Sequence, residues 1–249
     1  MGRIICVGSG KGGVGKTTFS VNIGKALCNI SKSVVIIDTD CGLRSVDLMF
    51  SNGDQSVFDL GDVASEKCDI FDAVVVENSS FGFISAPDHP LDQDCLTNVC
   101  SKALNKLSEK YDFVIIDRPS GLDFSFETEL QKFESIIVTA PDPMSQRSAS
   151  VYCENLKNLI PECRISFVLN KIDPVMIKNK QVANLDDMSD SIGAMILGLI
   201  PEDDRIFKCL TNGTLPNEGM AKSAFDRIAK RIIGENIPLP NLKKLLKLS

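Results

Sequence analysis

A glycine-rich run with two lysines near the start of the chain constrains the possible fold more than any other feature. Residues 10–17 read Gly-Lys-Gly-Gly-Val-Gly-Lys-Thr and match the phosphate-loop pattern G-x-x-x-x-G-K-[ST]. An apolar run at residues 4–8 precedes it, and an amphipathic stretch at residues 17–27 follows it. A loop between a buried strand and a helix N-terminus brings backbone N–H groups and the helix dipole onto an anion. The run therefore predicts a phosphate-binding site rather than a glycine-rich turn that binds nothing.

Each residue type in this loop has a physical reason to be there. The glycines let the backbone curl around phosphate oxygens without clashes from Cβ atoms. Lys16 is placed to reach the β- and γ-phosphates, and the Thr17 hydroxyl is a ligand for Mg²⁺. The predicted nucleotide contacts in the loop are Gly10, Lys11, Gly12, Gly13, Val14, Gly15, Lys16, Thr17 and Thr18.

Composition places the chain among ordinary globular proteins. It has 249 residues, of which 43% are hydrophobic and 24% are charged, enough for one large domain. The net charge of −6 argues against attraction of the whole chain to nucleic acid or to an anionic membrane, although a local basic patch can override it. The longest strongly apolar run, residues 192–200, is too short to span a bilayer.

The cysteines indicate a reducing compartment. Nine cysteines are scattered without any C-x-x-C pair, and no signal peptide precedes the first predicted strand. We therefore expect free thiols, mostly as small core residues, in a cytoplasmic protein.

Predicted strands and helices alternate along most of the chain. Helices are expected near residues 16–30, 91–110, 143–159 and 219–233. Such alternation predicts an α/β fold with a mostly parallel, twisted sheet and helices on both faces. We expect a single domain over residues 1–237, followed by a tail at 238–249 that begins near two prolines. The predicted strands are residues 4–8, 34–37, 74–76, 81–85, 113–116, 135–138 and 165–169.

Two predicted strands end in carboxylates. The run at residues 34–37 is followed by Asp38 and Asp40, and the run at 113–116 is followed by Asp117. Ligands of parallel sheets bind outside the carboxyl ends of the strands, and a strand that ends in Asp is the Walker B arrangement for Mg²⁺. Asp117 is the predicted metal-side carboxylate, and Asp38 or Asp40 is placed to orient the attacking water. The alternative, that an Asp only caps a turn, is kept for Asp38 above all.

These motifs together resemble the MinD/ParA family of deviant Walker A P-loop ATPases over nearly the whole chain. The loop KGGVGKTT carries the extra lysine of that family, and the first-switch segment IDTDCGLRSVD is similar to the MinD branch in particular. The segment at residues 57–60 resembles a short helical motif that follows the first switch. The remaining landmarks are VIIDRPSG at 114–121, FVLNKIDP at 167–174 and LIPEDD at 199–204.

The resemblance implies a role for each site residue. Lys11 is the signature lysine, which reaches across a nucleotide-sandwich dimer to the phosphates of the partner, as an arginine finger does. Lys16 keeps its role on the chain's own phosphates, and Asp40 positions the hydrolytic water. These three residues, Lys11, Lys16 and Asp40, are the predicted catalytic residues.

The same resemblance implies the metal and base contacts. Thr17, Asp38 and Asp117 support Mg²⁺, Asn170 contacts adenine, and Pro201 packs near the base. The expected ligands are ATP and ADP with Mg²⁺. ATP favours the dimer and hydrolysis releases it, because the two states differ in their affinity for the γ-phosphate.

A guanine alternative stays open at the base. Asn170-Lys171-Ile172-Asp173 fits the N-K-x-D pattern of GTPases, in which the Asp accepts hydrogen bonds from guanine. Asp173 is therefore kept as a candidate base contact, while the deviant Walker A loop favours adenine.

The sequence departs from the family pattern at four positions. Ser45 and Val46 stand where Asn-Leu is usual, Arg118 follows the Walker B Asp where Ser is common, and Ser120 replaces an Ala. Arg118 adds a charge next to the second switch, where it could alter either the stimulated rate or the partner surface.

The last nine residues, NLKKLLKLS, predict a short basic amphipathic helix. Its apolar side carries Leu242, Leu245, Leu246 and Leu248, and its basic side carries Lys243, Lys244 and Lys247. The MinD family uses a C-terminal helix of this type to bind membrane reversibly. The alternatives are a helix packed on the body of the protein and a frayed terminus.

The resemblance implies an ATPase that is slow until a partner stimulates it. It forms an ATP-dependent homodimer, binds the anionic inner face of the cell membrane from the cytoplasm, and helps to place the division septum together with a division inhibitor and a stimulatory protein of the Min type. The alternatives are a ParA-like partition ATPase, a flagellar-placement relative and a nucleotide-gated scaffold with vestigial hydrolysis. We expect no nucleic-acid partner because the chain is acidic. An iron–sulfur carrier of the superfamily is disfavoured because C-x-x-C is absent.

Overall fold

One sheet forms the centre of the computed structural model, which describes residues 1–50, 56–179, 184–211 and 214–240. Within these residues the sheet has eight strands in the order β3-β4-β2-β5-β1-β6-β7-β8. The strands are β1 (Arg3–Gly8), β2 (Val34–Asp38), β3 (Val75–Asn78), β4 (Phe81–Ile84), β5 (Phe113–Asp117), β6 (Glu134–Thr139), β7 (Arg164–Ile172) and β8 (Met195–Pro201).

The sheet is mostly parallel, so the predicted fold class is confirmed. All neighbouring strands run parallel except β3, which pairs antiparallel with β4 at one edge of the sheet. Strand β8 lies at the other edge, overlaps the apolar run at residues 192–200, and is missing from the predicted strands. Its sequence, MILGLIP, has a glycine in its middle, which weakens the signal of a strand.

The four predicted helical stretches are all present. The predicted helix at 91–110 is divided, because a π-helical turn (Val99–Ala103) separates its two α-helical parts. The described helices are α1 (Lys16–Cys28), α2 (Leu60–Ala64), α3 (Gln93–Asn98), α4 (Leu104–Lys110), α5 (Ser125–Thr128), α6 (Pro143–Leu159), α7 (Pro174–Lys178), α8 (Leu185–Ile192), α9 (Asp204–Thr211) and α10 (Met220–Ile232).

Side chains of the central strands alternate between two hydrophobic clusters, one on each face of the sheet. On β1, Ile5 and Val7 belong to the cluster formed with α1 and α10, whereas Cys6 belongs to the cluster that includes α2, α4 and α6. This alternation explains why the strands read as unbroken apolar runs: both faces of the sheet are covered.

The strand order brings three carboxyl ends to the same place. Strand β5 lies between β1 and β2, and in the parallel register Asp117 pairs with Val7 on one side and with Asp38 on the other. The loop after β1, the segment after β2 and the segment after β5 therefore all leave the sheet at the carboxyl ends of these strands. An edge where crossovers depart to both sides of a central strand is the usual binding crevice of such sheets.

Two further expectations concern the cysteines and membrane contact. All nine cysteines are free, but only Cys6, Cys100 and Cys153 are fully buried, so most are partly buried rather than core residues. Among the described residues, no helix combines the length and the apolar character needed to cross a bilayer. The predicted tail helix at 241–249 lies outside the described residues.

Close packing of α10 on β8 predicts a stability effect at one glycine. A Cβ atom on Gly198 would lie 2.3 Å from Cγ1 of Ile228. We expect Gly198→Ala to lower the free energy of unfolding by about 1–3 kcal/mol, because overpacking forces the helix or the strand to shift. Chemical denaturation of the full chain measures this change.

The double variant Gly198→Ala/Ile228→Ala is the matched control. Since Ile228→Ala removes the clashing atoms, the double variant should lose less stability than the sum of the two single losses. Additive losses would show that the overlap between β8 and α10 is not the cause.

Candidate functional site

The phosphate loop joins β1 to α1 with its backbone in a conformation that glycine allows. Gly13 and Gly15 have φ angles of 76° and 92°, in the left-handed region, and Gly15 caps the N-terminus of α1. A Cβ atom on Gly15 would also lie 2.5 Å from Nδ2 of Asn170. The loop therefore needs glycine at this position for both its conformation and its packing, and it leaves the N-terminus of α1 facing an open cavity.

A cavity of about 760 Å³ lies over this loop. It is large enough for a nucleotide, since ligand pockets have volumes of roughly 300–1,000 Å³. Its walls are Gly12, Gly13, Gly15, Lys16, Thr17, Thr18, Asp40, Leu43, Ser45, Leu48, Met49, Ser120, Asn170, Lys171, Pro201, Glu202, Asp203, Asp204, Ile206 and Phe207.

Lys16 lies at the floor of the cavity, as the motif predicts. The residue is 8% exposed, and burial lowers the pKa of its ammonium group, while Asp117 and Asp40 partly oppose that change. A desolvated ammonium group next to carboxylates interacts strongly with a phosphate that enters the same space.

Asp117 is a fully buried carboxylate with one oxygen left without a partner. Its Oδ1 accepts a hydrogen bond of 2.8 Å from Ser20 Oγ. Its Oδ2 is buried and has no hydrogen-bond partner. Burial raises the pKa of Asp117 to about 6, while the nearby Thr17 and Ser20 hydroxyls partly oppose this rise.

These features fit a Mg²⁺ site beside the phosphate loop. An orphaned buried carboxylate oxygen next to a threonine hydroxyl supplies the oxygen ligands that Mg²⁺ prefers, directly or through water. Thr17 also lines the cavity, so this pair lies beside the place where phosphates would bind. The predicted metal roles of Thr17 and Asp117 are therefore consistent with the geometry.

Asp38 is held in the turn after β2 and does not reach the cavity wall. Its Oδ1 accepts the backbone N–H of Asp40 at 2.9 Å, and its Oδ2 accepts that of Val46 at 3.1 Å. It is fully buried and does not line the cavity, and burial, with the charge of Asp117, raises its pKa to about 7. The carboxylate of Asp38 therefore holds the turn after β2, because the backbone N–H groups of Asp40 and Val46 both donate to it.

Residues 39–46, which from here on we call the first switch segment, contribute to one wall of the cavity. Asp40 and Ser45 both line the cavity. Thr39 binds the segment to β5, since both its N–H, at 3.0 Å, and its hydroxyl, at 2.8 Å, donate to the Asp117 carbonyl. Val46, the other departure in this segment, is a fully buried core residue.

Lys11 points away from the cavity of its own chain. Its Nζ lies 3.3 Å from both Asp142 Oδ1 and Ser145 Oγ, at the N-terminus of α6, and its side chain is 45% exposed. Asp142 caps that helix, and the Ser145 hydroxyl, together with Lys11, lowers the pKa of its carboxyl group. The two lysines of the loop therefore have different environments: Lys16 is buried at the cavity, whereas Lys11 is half exposed and pairs with Asp142.

The Asn-Lys pair at residues 170–171 braces the phosphate loop. Asn170 Nδ2 donates to the Val14 carbonyl at 2.8 Å, and Lys171 Nζ donates to the Gly13 carbonyl at 2.8 Å. Lys171 has a φ of 56°, which is unusual for a residue with a side chain. Both residues also line the cavity, so the expected contact of Asn170 with a base is compatible with this bracing role.

Asp173 does not reach the cavity. Its carboxylate caps α7 by accepting the Val175 N–H at 2.7 Å, and it is absent from the cavity wall. The carboxylate that would accept hydrogen bonds from guanine is therefore not at the cavity wall, because it caps α7.

Some wall residues have no individual role in the sequence prediction. The start of α9 contributes Ile206 and Phe207 next to the predicted Pro201, and Leu43 and Leu48 contribute from the side of the first switch. The signal for the α9 side was the LIPEDD landmark, which ends where α9 begins. Leu43 and Leu48 are 64% and 74% exposed, a property that sequence cannot give.

Arg118 points into the protein rather than toward a partner. It is 6% exposed and pairs with the fully buried Glu127, whose Oε1 lies 3.0 Å from Arg118 Nε. Because its side chain is buried, Arg118 does not itself form part of a partner surface, and its effect on the stimulated rate stays a prediction.

The positions of Asp38 and Asp117 predict different effects on metal binding. We expect Asp117→Asn to weaken Mg²⁺ binding to the nucleotide complex by about 10–100-fold, because it neutralises the carboxylate beside the phosphate loop. Asp38→Asn should change that affinity little, because Asp38 holds a turn. Magnesium titrations with a fluorescent ADP analogue measure both affinities.

Melting temperatures of both variants provide the control for folding. A loss of Mg²⁺ affinity in Asp38→Asn as large as that in Asp117→Asn would return Asp38 to the metal site.

Comparison with known protein families and relatives agrees with this site. Residues 2–168, about two thirds of the chain, match the family model described as an AAA domain. The septum site-determining protein MinD of Synechocystis sp. is 33% identical over 245 residues, which cover 96% of this chain and 92% of that protein.

Solved structures have the same fold. A chain of the MinC:MinD cell division protein complex of Aquifex aeolicus is 28% identical, with a TM-score of 0.85 and coverage of 96% of this chain and 98% of that one. MinD of Pyrococcus horikoshii, described as complexed with Mg-ADP, is 24% identical with a TM-score of 0.78 over 95% of this chain and all of that one, a similarity of fold. The chain belongs to the family of MinD septum site-determining P-loop ATPases.

Proposed function

We propose that this protein is a Mg²⁺-dependent ATPase that dimerises on ATP, binds the membrane reversibly and helps to position the division septum. The observation that carries the proposal is the separation of its two loop lysines. Lys16 is buried under the cavity, whereas Lys11 is half exposed and outside it. A lysine held next to the phosphate loop but away from its own phosphates is available to the phosphates of a second subunit.

The electrostatics of the cavity favour such an arrangement. The ammonium group of Lys16 is buried beside the carboxylates of Asp117 and Asp40. A bound triphosphate with Mg²⁺ adds several negative charges on one side of the loop. A second cation from the partner then stabilises the charge that develops in the transition state, where electrostatic stabilisation is most effective.

Hydrolysis needs few groups beyond these. Lys16 and the backbone N–H groups at the start of α1 hold the phosphates, and Asp40 lies in the cavity wall to orient the attacking water. Thr17 and Asp117 would hold Mg²⁺, which neutralises charge on the β- and γ-phosphates when bound. Catalysis of this kind rests on positioning and charge, so the rate is slow until a partner completes the site.

Exposed apolar side chains near the cavity support self-association. Leu43 and Leu48 line the cavity and yet are mostly exposed, and Leu122 is 49% exposed two residues after the cavity-lining Ser120. Burial of such side chains against a second copy would contribute favourable free energy at about 25 cal/mol per Å² of apolar area. ATP would select the dimer and ADP the monomer, a shift in population set by the γ-phosphate.

The proposed membrane contact belongs to the tail at residues 241–249. Each lysine near an anionic leaflet contributes about 1 kcal/mol, and the leucines contribute about 0.8 kcal/mol per buried CH₂. Ordering the peptide costs about 1–2 kcal/mol per residue, so one tail binds marginally. Two tails in a dimer bind with an avidity that can be ~10²-fold higher, which couples membrane residence to ATP.

The division role follows from family membership. Its relatives are named for septum site determination, and one solved relative is a complex of MinC with MinD. We propose a division inhibitor of this type and a stimulatory protein as partners, and a cytoplasmic location with peripheral attachment to the inner face of the cell membrane. A DNA-binding partition role is less well supported, because the chain has a net charge of −6.

Substitution of Lys11 tests the cross-subunit role. We expect Lys11→Ala to weaken ATP-dependent dimerisation at least about tenfold, since it removes a cation from the phosphates of the partner. The folded monomer and its affinity for ADP should be kept. Analytical ultracentrifugation with Mg²⁺ and a non-hydrolysable ATP analogue measures the monomer–dimer equilibrium.

Lys132→Ala is the matched control, because it removes the same charge from an exposed position just before β6. This position is at the amino-terminal ends of the strands, opposite the phosphate loop. It should dimerise like the parent chain. A Lys11→Ala protein that still dimerises fully would contradict the proposed role of Lys11.

Removal of the tail tests membrane attachment separately. We expect the full chain to sediment with vesicles of anionic phospholipid in ATP and much less in ADP, whereas a chain that ends at Pro240 should not sediment in either. Its ATP-dependent dimer should persist, because the truncation leaves the cavity intact.

A full-length chain with Lys243, Lys244 and Lys247 changed to Gln separates charge from apolar insertion. It should lose most binding to anionic vesicles, since each lysine contributes about 1 kcal/mol there. Equal sedimentation of full-length and truncated chains would defeat the anchor.

A further inference from the structure

A buried guanidinium group lies where the segments after β2 and β5 leave the sheet. Arg118 follows Asp117 directly, and its backbone N–H donates to the Val7 carbonyl at 3.1 Å. Its Nε donates to Glu127 Oε1 at 3.0 Å, and the Tyr152 hydroxyl lies 3.4 Å from the same oxygen. Arg118 and Glu127 are 6% and 0% exposed, so this ion pair is shielded from water.

The same guanidinium group reaches two segments that are far apart in sequence. Its Nη1 donates to Thr39 Oγ1 at 3.3 Å, in the first switch segment. Its Nη2 donates to the Asp123 carbonyl at 3.1 Å, in residues 119–124, which we define as the second switch segment. Thr39 directly precedes Asp40, so this contact lies one residue from the group proposed to orient water.

We propose that Arg118 is a positioning residue, which fixes the two switch segments relative to each other and thereby sets the place of Asp40. The inference rests on the proposed role of Asp40 in hydrolysis. A planar group with five donors in a fixed geometry can bind three acceptors in three directions, which a lysine ammonium on a flexible stem does not reproduce.

Stability alone is a poor explanation for this ion pair. Desolvation of two charges offsets most of their attraction, and apolar replacements of similar volume are often neutral or stabilising. The ring of Phe126, 5.1 Å from the guanidinium carbon, already provides an apolar wall for such a replacement. What an apolar side chain cannot replace is the pair of hydrogen bonds to Thr39 and to the Asp123 carbonyl.

The test variant removes both charges together. Arg118→Met/Glu127→Gln leaves no uncompensated buried charge, so the fold should persist. Arg118→Lys keeps the charge but not the three-way geometry. Arg3→Met/Glu134→Gln is the matched control, because it removes another Arg–Glu pair, at 2.6 Å, that involves the start of β1, away from the switch segments.

Amide hydrogen exchange of the full chain with ADP and Mg²⁺ is the first readout. The backbone N–H groups of Thr39, Asp40, Val46 and Gly121 are hydrogen-bonded and report on the two segments. We expect these amides to exchange at least about tenfold faster in Arg118→Met/Glu127→Gln, with β1 and β5 still protected and the control unchanged. Exchange at the parental rate would overturn the proposal, whether or not the protein hydrolyses ATP.

Steady-state ATP hydrolysis is the second readout. We expect kcat to fall about tenfold or more in Arg118→Met/Glu127→Gln with KM nearly unchanged, because phosphate binding is intact while Asp40 is misplaced. The single variant Arg118→Lys should also have a lower kcat than the parent chain, because it keeps the charge but loses the three-way hydrogen bonding. Parental kcat in the double variant would overturn the positioning role. If the parent chain itself does not hydrolyse ATP, the proposed function fails, and hydrogen exchange still decides the role of Arg118.

Discussion

The parallel pairing of β5 with both β1 and β2 is the constraint on which the site depends. In that register Asp117 stands beside Val7, the last residue but one of β1, and beside Asp38, the last residue of β2. The phosphate loop and both switch segments therefore start within neighbouring strand positions. A shift by one residue would turn Asp117 to the opposite face of the sheet, away from Ser20 and Thr17.

Burial of several charges at this edge creates an electrostatic imbalance that a ligand can relieve. The pKa values of Asp38 and Asp117 are raised to about 7 and about 6, mainly because both carboxyl groups are buried. Asp38 is supported by two backbone N–H groups, whereas Asp117 keeps one oxygen without a partner. The unsatisfied oxygen of Asp117 beside the phosphate loop is suited to a divalent cation, whereas both oxygens of Asp38 already accept backbone N–H groups.

Sequence predicts the parts of this site that depend on backbone motifs. The phosphate loop, the strand that ends in Asp117 and the alternation of strands and helices all have local signals, and they are found where expected. Sequence does not predict which way a carboxylate turns. Asp38 and Asp173 both accept hydrogen bonds from nearby backbone N–H groups, because a short acidic side chain readily satisfies such groups in turns and at helix caps.

Arg118 illustrates the same limit from the opposite direction. A charged residue next to a switch segment can lie on the surface or in the interior. It is buried only where an oppositely charged side chain pairs with it. That partner, Glu127, is nine residues away on α5, with no local pattern that connects the two. Strand β8 is absent from the predicted strands for a similar reason: its identity as an edge strand comes from pairing with β7, while Gly198 inside it weakens the local signal.

The exposed ion pair between Lys11 and Asp142 costs little free energy to break, as the proposed switch requires. Lys11 and Asp142 have side chains that are 45% and 41% exposed, and such surface pairs contribute only about 0–1 kcal/mol. A triphosphate presented by a second subunit offers Lys11 more negative charge in a drier space, where attraction is stronger. The resting contact is therefore weak enough to be exchanged for the partner's phosphates and specific enough to keep Lys11 away from its own. Two lysines in one loop can in this way respond to different nucleotides, one to the nucleotide bound in the same chain and the other to that of the partner.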